Sequence, residues 1–180
     1  MNLEKNNDMI VIIDMVNGFA KEGNMASPLV YEIINPIKKL IDKSLDNGIK
    51  VIHYTDSHPS NAQEFKTYPI HCLENTSESL PVDELNDNRI EIIKKNSTNG
   101  FLAFNPFTYQ KNLFVCGCVT DICVFEFCLT AQKYKEEYNL PYSVNLIKDL
   151  VQTYDGEDHE YSKINSTFIN MLKQRGINIV

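Results

Sequence analysis

Five consecutive apolar residues, Met9 to Ile13, run straight into Asp14. A strand covered on one face alternates apolar with polar side chains, so an unbroken apolar run marks a strand covered on both faces, as in a parallel sheet. The pattern recurs. Ile49 to Thr55 stops at Asp56, Ile90 to Lys94 reads as a third strand, Leu113 to Cys116 as a fourth, Tyr142 to Ile147 as a fifth, and Ile177 to Val180 as a short last one. Between them, Val30, Ile33, Ile34, Ile37, Leu40, Ile41 and Leu45 recur at helical spacing until Asn47-Gly48 closes the helix, and further helices are predicted over 122–138 and 158–175. This alternation predicts an α/β chain of three layers, a doubly wound, mostly parallel six-stranded sheet with helices on both faces. The 180 residues, 43% of them hydrophobic, suffice for one substantial core and contain no repeat or linker, so residues 1–180 are read as a single domain.

The formal net charge of −7 argues against nucleic acid or an anionic membrane surface as partner and leaves small neutral or cationic ligands open. The N-terminal segment Met1 to Asp8 is polar, and no apolar run approaches membrane-spanning length, so the expectation is a cytoplasmic protein without a signal peptide. Five clustered cysteines (72, 116, 118, 123 and 128) fit reduced thiols better than a disulfide framework. Cys116 and Cys118 flank Gly117 with one residue between them, which lacks the spacing of a zinc ribbon.

In open parallel sheets ligands bind beyond the carboxyl ends of strands, where the strand order reverses. The polar residues just past those ends therefore share a crevice: Asp14, then Asp56 and His58, then Lys95, then the turn Thr120 to Cys123. Cys123 stands where the fourth strand turns into a helix. A helix N-terminus offers unpaired N–H groups and a partial positive charge that favour a thiolate and cradle an oxyanion. A cysteine, a carboxylate and an ammonium brought together from distant parts of the chain make a nucleophile with its base and orienting cation. The competing reading of Cys123 is an ordinary buried core thiol, and that of Lys95 a solvent-facing strand end.

Residues 56 to about 80 form a long irregular stretch, of the kind that is usually functional in a compact domain. It carries Asp56-Ser-His58, then Glu64, then Tyr68-Pro-Ile-His71-Cys72. Asp56 and His58, two apart on an extended segment, can both face a divalent metal, with His71 completing a facial set. Such ligands suit zinc, manganese or iron. His53, inside the second strand, reads as a satisfied core histidine.

In this order, Asp14 in VIIDMVNGF, TDSH followed by YPIHC, Lys95 six residues before Phe101 in KKNSTNGF, and GCVTDICV resemble the isochorismatase-like cysteine hydrolases over nearly the whole chain. The D-x-H with P-x-H-C is similar to the metal-binding nicotinamidase/pyrazinamidase branch. The resemblance implies a triad of Asp14, Lys95 and Cys123, and one divalent metal, zinc before manganese or iron, on Asp56, His58 and His71, with Glu64 or Ser60 as a further ligand, directly or through water. It also implies a cis peptide between Val119 and Thr120, and an oxyanion hole from the Thr120 and Cys123 amides. Phe19, Tyr68 and Val119 are the implied substrate contacts, the two aromatic rings able to sandwich a flat heterocycle. Asn17 stands where the family usually has glutamine, and Tyr68 where it has tryptophan.

The activity so implied is amide hydrolysis, nicotinamide to nicotinate and ammonia, through a thioester acyl-enzyme. Asp14 would carry the Cys123 proton to the leaving ammonia and Lys95 would favour the thiolate. The metal would lie beside the ring, on the pyridine nitrogen directly or through its bound water, or activate the deacylating water. The expected partners are a small amide substrate and further copies of the chain in a homo-oligomer. Two alternatives stand beside this reading: a metal-free hydrolase of the same superfamily acting on another amide or a vinyl ether, and a non-catalytic binding or thiol-redox protein.

Overall fold

The computed structural model describes residues 2–180; Met1, first residue of the polar N-terminal segment, lies outside them. Six strands, β1 (Asp8–Ile13), β2 (Lys50–Asp56), β3 (Glu91–Lys95), β4 (Asn112–Cys118), β5 (Val144–Gln152) and β6 (Asn178–Ile179), form one sheet in the order β3-β2-β1-β4-β5-β6. Every pairing is parallel. The helices are α1 (Asn17–Ala20), α2 (Pro28–Glu32), α3 (Ile34–Asp46), α4 (Gly100–Ala103), α5 (Cys123–Glu137) and α6 (Tyr161–Gln174).

Strand β1 shows why its sequence is apolar throughout. Ile10 and Ile12 face one core with Ile34, Ile37 and Ile41, whereas Met9, Val11 and Ile13 face the other with Val124, Phe127 and Leu172. All five residues are fully buried, so each face contributes about 1.5–3 kcal/mol per large side chain. The apolar repeat from Val30 to Leu45 divides into α2 and α3, with Ile33 at the junction.

Two regions differ most from the sequence expectation. The fifth strand extends to Gln152, five residues past Ile147. Val115 pairs with Leu146 but Gly117 with Val151, so residues 147–150 bulge from the ladder and carry the exposed Lys148 and Asp149 outward. That charged pair imitates a strand end. The other is the stretch after β2, which contains two 3-10 turns, Gln63–Lys66 and Ser77–Ser79. It also folds back on itself: His58 N–H donates to Cys72 O at 2.9 Å and Glu74 N–H to His58 O at 2.8 Å, which lays residues 72–74 beside His58.

The chain builds β1, β2 and β3 in one direction and then returns to place β4 on the other side of β1. The reversal lies between β1 and β4, where a crevice opens at the carboxyl ends. Gly117 lets these strands meet there. Its φ is +117°, and a Cβ at that position would come within 2.0 Å of the Ile13 carbonyl oxygen. Among the described residues no helix is long and apolar enough to cross a membrane.

Candidate active site

Register delivers the charged residues. Asp56 closes β2 directly opposite Lys95, which closes β3, so the two side chains leave the same face of the sheet. Lys94, one residue earlier, points the other way and is exposed, whereas Lys95 is buried. Asp14 follows β1 with a positive φ of 52°, a conformation aspartate tolerates, and its Oδ1 accepts the Asp56 N–H at 3.0 Å. Asp14, Lys95 and Cys123 therefore come together from three separate segments. The Lys95 ammonium stands 2.8 Å from Asp14 Oδ2, forms an ion pair with Asp56, donates to Ser97 O at 3.0 Å and lies 3.9 Å from Cys123 Sγ. Asp14 Oδ2 has no well-directed hydrogen bond, which leaves it as the carboxylate atom free to accept a proton.

Burial dominates the electrostatics. It pushes Asp14 up to about 7, helped by the Asp56 charge and opposed by Lys95. Asp56 would be raised by burial too, but Lys95 and the two histidines hold it well below the usual carboxylate range. Lys95 stays protonated because Asp14 and Asp56 outweigh the cost of burying it. Burial also drives the Cys123 thiol well up, with Lys95 pulling it down only in part. Lys95 pulls the thiol toward the thiolate, as the sequence predicts, but burial outweighs it and leaves the Cys123 thiol raised beside a carboxylate poised near neutrality. The other four thiols are free and buried, and burial raises each of them. Of these, Cys116 bonds weakly to Val11 O and Cys118 to Asp14 O.

Beside this group the loop gathers Asp56, His58, Glu64 and His71, with one ligand atom from each lying within 4.8 Å of the others. His58 Nε2 is 3.4 Å from Asp56 Oδ2 and 3.9 Å from Glu64 Oε1, and His71 Nε2 is 3.6 and 3.8 Å from the same oxygens. Ligands at about 2.1 Å from a tetrahedral ion are spaced by roughly 3.4 Å, close to these separations. The far nitrogens are already engaged: His71 Nδ1 faces Pro69 O at 2.7 Å and His58 Nδ1 faces Asn96 Oδ1 at 2.9 Å. Acceptors at Nδ1 put the hydrogen there and turn each Nε2 lone pair toward the centre. Asp56 Oδ2 and His58 Nε2 are buried without a hydrogen-bond partner. Buried Asp14, Asp56 and half-buried Glu64 also outnumber the single Lys95, so the donor set fits a divalent cation. Burial lowers the His58 imidazole, but Asp56 beside it outweighs that and raises it.

A cleft with about 460 Å³ of atom-free space, partly open to solvent, reaches Asp56, His71 and Cys123 and is walled by Phe19, Tyr68 and Val119. Two expectations are corrected, and a third is narrowed. The cis peptide joins Cys118 to Val119, one residue earlier than expected. Thr120 is fully buried with its N–H on Gln152 O at 3.1 Å, so β5 has taken the amide expected in the oxyanion hole; among the described residues the Val119 and Cys123 amides have no acceptor. Ser60 is exposed on the turn beyond His58, whereas Glu64 joins the cluster. His53 is buried as expected and held near 3 by burial, with Nε2 accepting the Met15 N–H and Nδ1 unpaired. The cleft and cluster also use Asn96, Met25, Thr98 and Tyr154, which the sequence does not single out, and Ile122 from the turn that it does. Extending the strand-end rule to β5 at its true end would have found Tyr154.

The isochorismatase domain model matches residues 8–178. The chain belongs to the isochorismatase family. Nicotinamidase 1 of Arabidopsis thaliana is 31% identical to this family member over 144 residues, 68% of this chain and 59% of that protein, so the chain spans about three-fifths of its curated relative. The fold matches pyrazinamidase of Pyrococcus horikoshii in complex with zinc (TM-score 0.80, 24% identity, 97% and 98% of the two chains). It also matches the yeast nicotinamidase (0.80, 20%, 96% and 99%) and N-carbamoylsarcosine amidase of Thermoplasma acidophilum (0.78, 20%, 96% and 95%).

Proposed function

We propose that this isochorismatase-family protein is a metal-dependent cysteine amidohydrolase that converts nicotinamide to nicotinate and ammonia. The observation that carries the reading is the sharing of one ammonium. Lys95 pairs with Asp14 beside Cys123 and with Asp56 of the four-ligand cluster, so thiol and cation site open on the same cleft. The curated nicotinamidase relative and the zinc complex of the Pyrococcus pyrazinamidase support it.

In this mechanism Asp14 Oδ2 takes the Cys123 proton as sulfur attacks the carboxamide carbon. The carbonyl electrons move to oxygen, which the Val119 and Cys123 N–H groups hold. Collapse breaks the C–N bond, and the Asp14 proton leaves with ammonia. Asp14 then deprotonates a water that attacks the thioester; the C–S bond breaks and returns the thiol. Asp56, His58, His71 and Glu64 would hold the cation, which supplies a Lewis acid for the ring nitrogen or for a bound water. Phe19 and Tyr68 flank the ring. The test is ammonia release from nicotinamide by protein as purified, after chelation, and after zinc, manganese or iron is returned. Activity lost on chelation and regained with one of them supports the proposal; turnover indifferent to chelation, or none under any condition, refutes it.

A further inference from the structure

Two residues before Cys123, the nucleophile turn is tied to a segment that the mechanism does not use. Asp121 accepts from Thr153 Oγ1 at 2.5 Å, and its other oxygen lies 2.9 Å from His159 Nε2. His159 Nδ1 in turn lies 3.0 Å from the Tyr154 carbonyl oxygen. Both ring nitrogens thus face acceptors, an arrangement that a doubly protonated imidazole satisfies at both ends. The Tyr154 side chain lies flat on this imidazole, ring centres 3.9 Å apart and planes 6° from parallel, and residues 154–159 close into a short turn through reciprocal Gly156 and His159 backbone bonds. Tyr154 borders both the cleft that contains Cys123 and a wider outer vestibule shared with Tyr68 and Tyr161.

From this clasp we infer that Tyr154 is a specificity-determining wall for the aromatic ring of the substrate and that His159 is its positioning residue, bolting that wall to the nucleophile turn through Asp121. The assignment rests on the cleft being the site of an aromatic amide. A flat side chain on a free loop would pay ordering entropy each time a ring docked, and the imidazole prepays it. The clasp thereby sets the distance between the wall and Cys123, since both are fixed to Asp121.

The experiment is a double-mutant cycle on nicotinamide hydrolysis by the metal-loaded protein. His159→Ala and Tyr154→Leu should each raise KM by up to about tenfold, the scale of one aromatic contact, with kcat nearly constant. The double variant should be no worse than Tyr154→Leu alone, and Tyr154→Phe, which keeps the ring, should restore the affinity lost in Tyr154→Leu. Multiplying effects, or an unchanged KM in Tyr154→Leu, would overturn the inference. A second readout needs no turnover: the rate of Cys123 alkylation by N-benzyl iodoacetamide relative to iodoacetamide should fall in both variants. A ratio unmoved in both contradicts the wall even if nicotinamide is not the substrate, and a ratio that falls in a protein inert toward nicotinamide upholds the wall while removing the nicotinamidase reading.

Discussion

The two halves of the site are built in different ways. Asp14, Asp56 and Lys95 are placed by strand ends whose register the whole sheet enforces, and they are buried to 2% exposure or less. His71 and Glu64 arrive on a loop held by backbone bonds around His58 and by the 3-10 turn Gln63–Lys66; His71 is as buried as the strand-borne residues, but Glu64 is only partly buried. The strand-borne half should therefore be rigid and intolerant, and the loop-borne half adjustable and rescued by mass action. In the proposed mechanism the chemistry that needs fixed distances sits on the sheet, whereas the ion ligands other than Asp56 sit on the loop.

The largest effect expected is at Cys123. Cys123→Ala should abolish ammonia release with an unchanged melting temperature, because a thiol at a turn leaves only a small void; full activity in this variant, with loss in Cys116→Ala, would transfer the nucleophile to Cys116. Asp14→Asn should lower kcat by about 10²–10⁴-fold, the range for a general base. The same carboxylate sets a pH dependence. With Asp14 pushed up to about 7, protonation removes the base, so kcat/KM should fall as pH drops through that region. A metal-saturated enzyme with a flat profile from pH 8 to 5 would contradict the role given to Asp14.

On the loop side the losses should be recoverable. His71→Ala should lose metal first and activity in proportion, and excess zinc should restore part of both, as measured by metal content and ammonia release on one sample. Occupancy should also fall with pH through the histidine range, since Asp56 raises the His58 imidazole and a proton there competes with the ion. The smallest effect separates the two residues named as further ligands: Glu64→Gln should weaken metal retention severalfold, whereas Ser60→Ala should leave it unchanged in a competition titration with a chelating dye.

This contrast also explains what could be read from the chain. An apolar run that stops at a charged residue announces a buried parallel strand and its functional end together, so Asp14 and Asp56 needed only the alternation of strands and helices; choosing Lys95 over Lys94 needed the family spacing as well, and strand register then gives the physical reason. The Tyr154 wall escaped because the bulge at Lys148 and Asp149 breaks the apolar run before β5 ends. The Thr120 amide was misassigned for a related reason: its acceptor, Gln152, lies on that unseen end of β5. Tertiary partners of a turn do not show in its local sequence, and neither does the balance in which burial raises the Cys123 thiol against the pull of Lys95.

The central claim is that both halves act on one bound molecule. A crystal of Cys123→Ala protein loaded with zinc and soaked in nicotinamide, measured at the zinc absorption edge, tests it most directly. The account predicts an anomalous peak among Asp56, His58, Glu64 and His71, with the ring between Phe19 and Tyr68 and the carboxamide carbon facing position 123. Zinc bound elsewhere, or a ring seated away from position 123 with the cation in place, would contradict it.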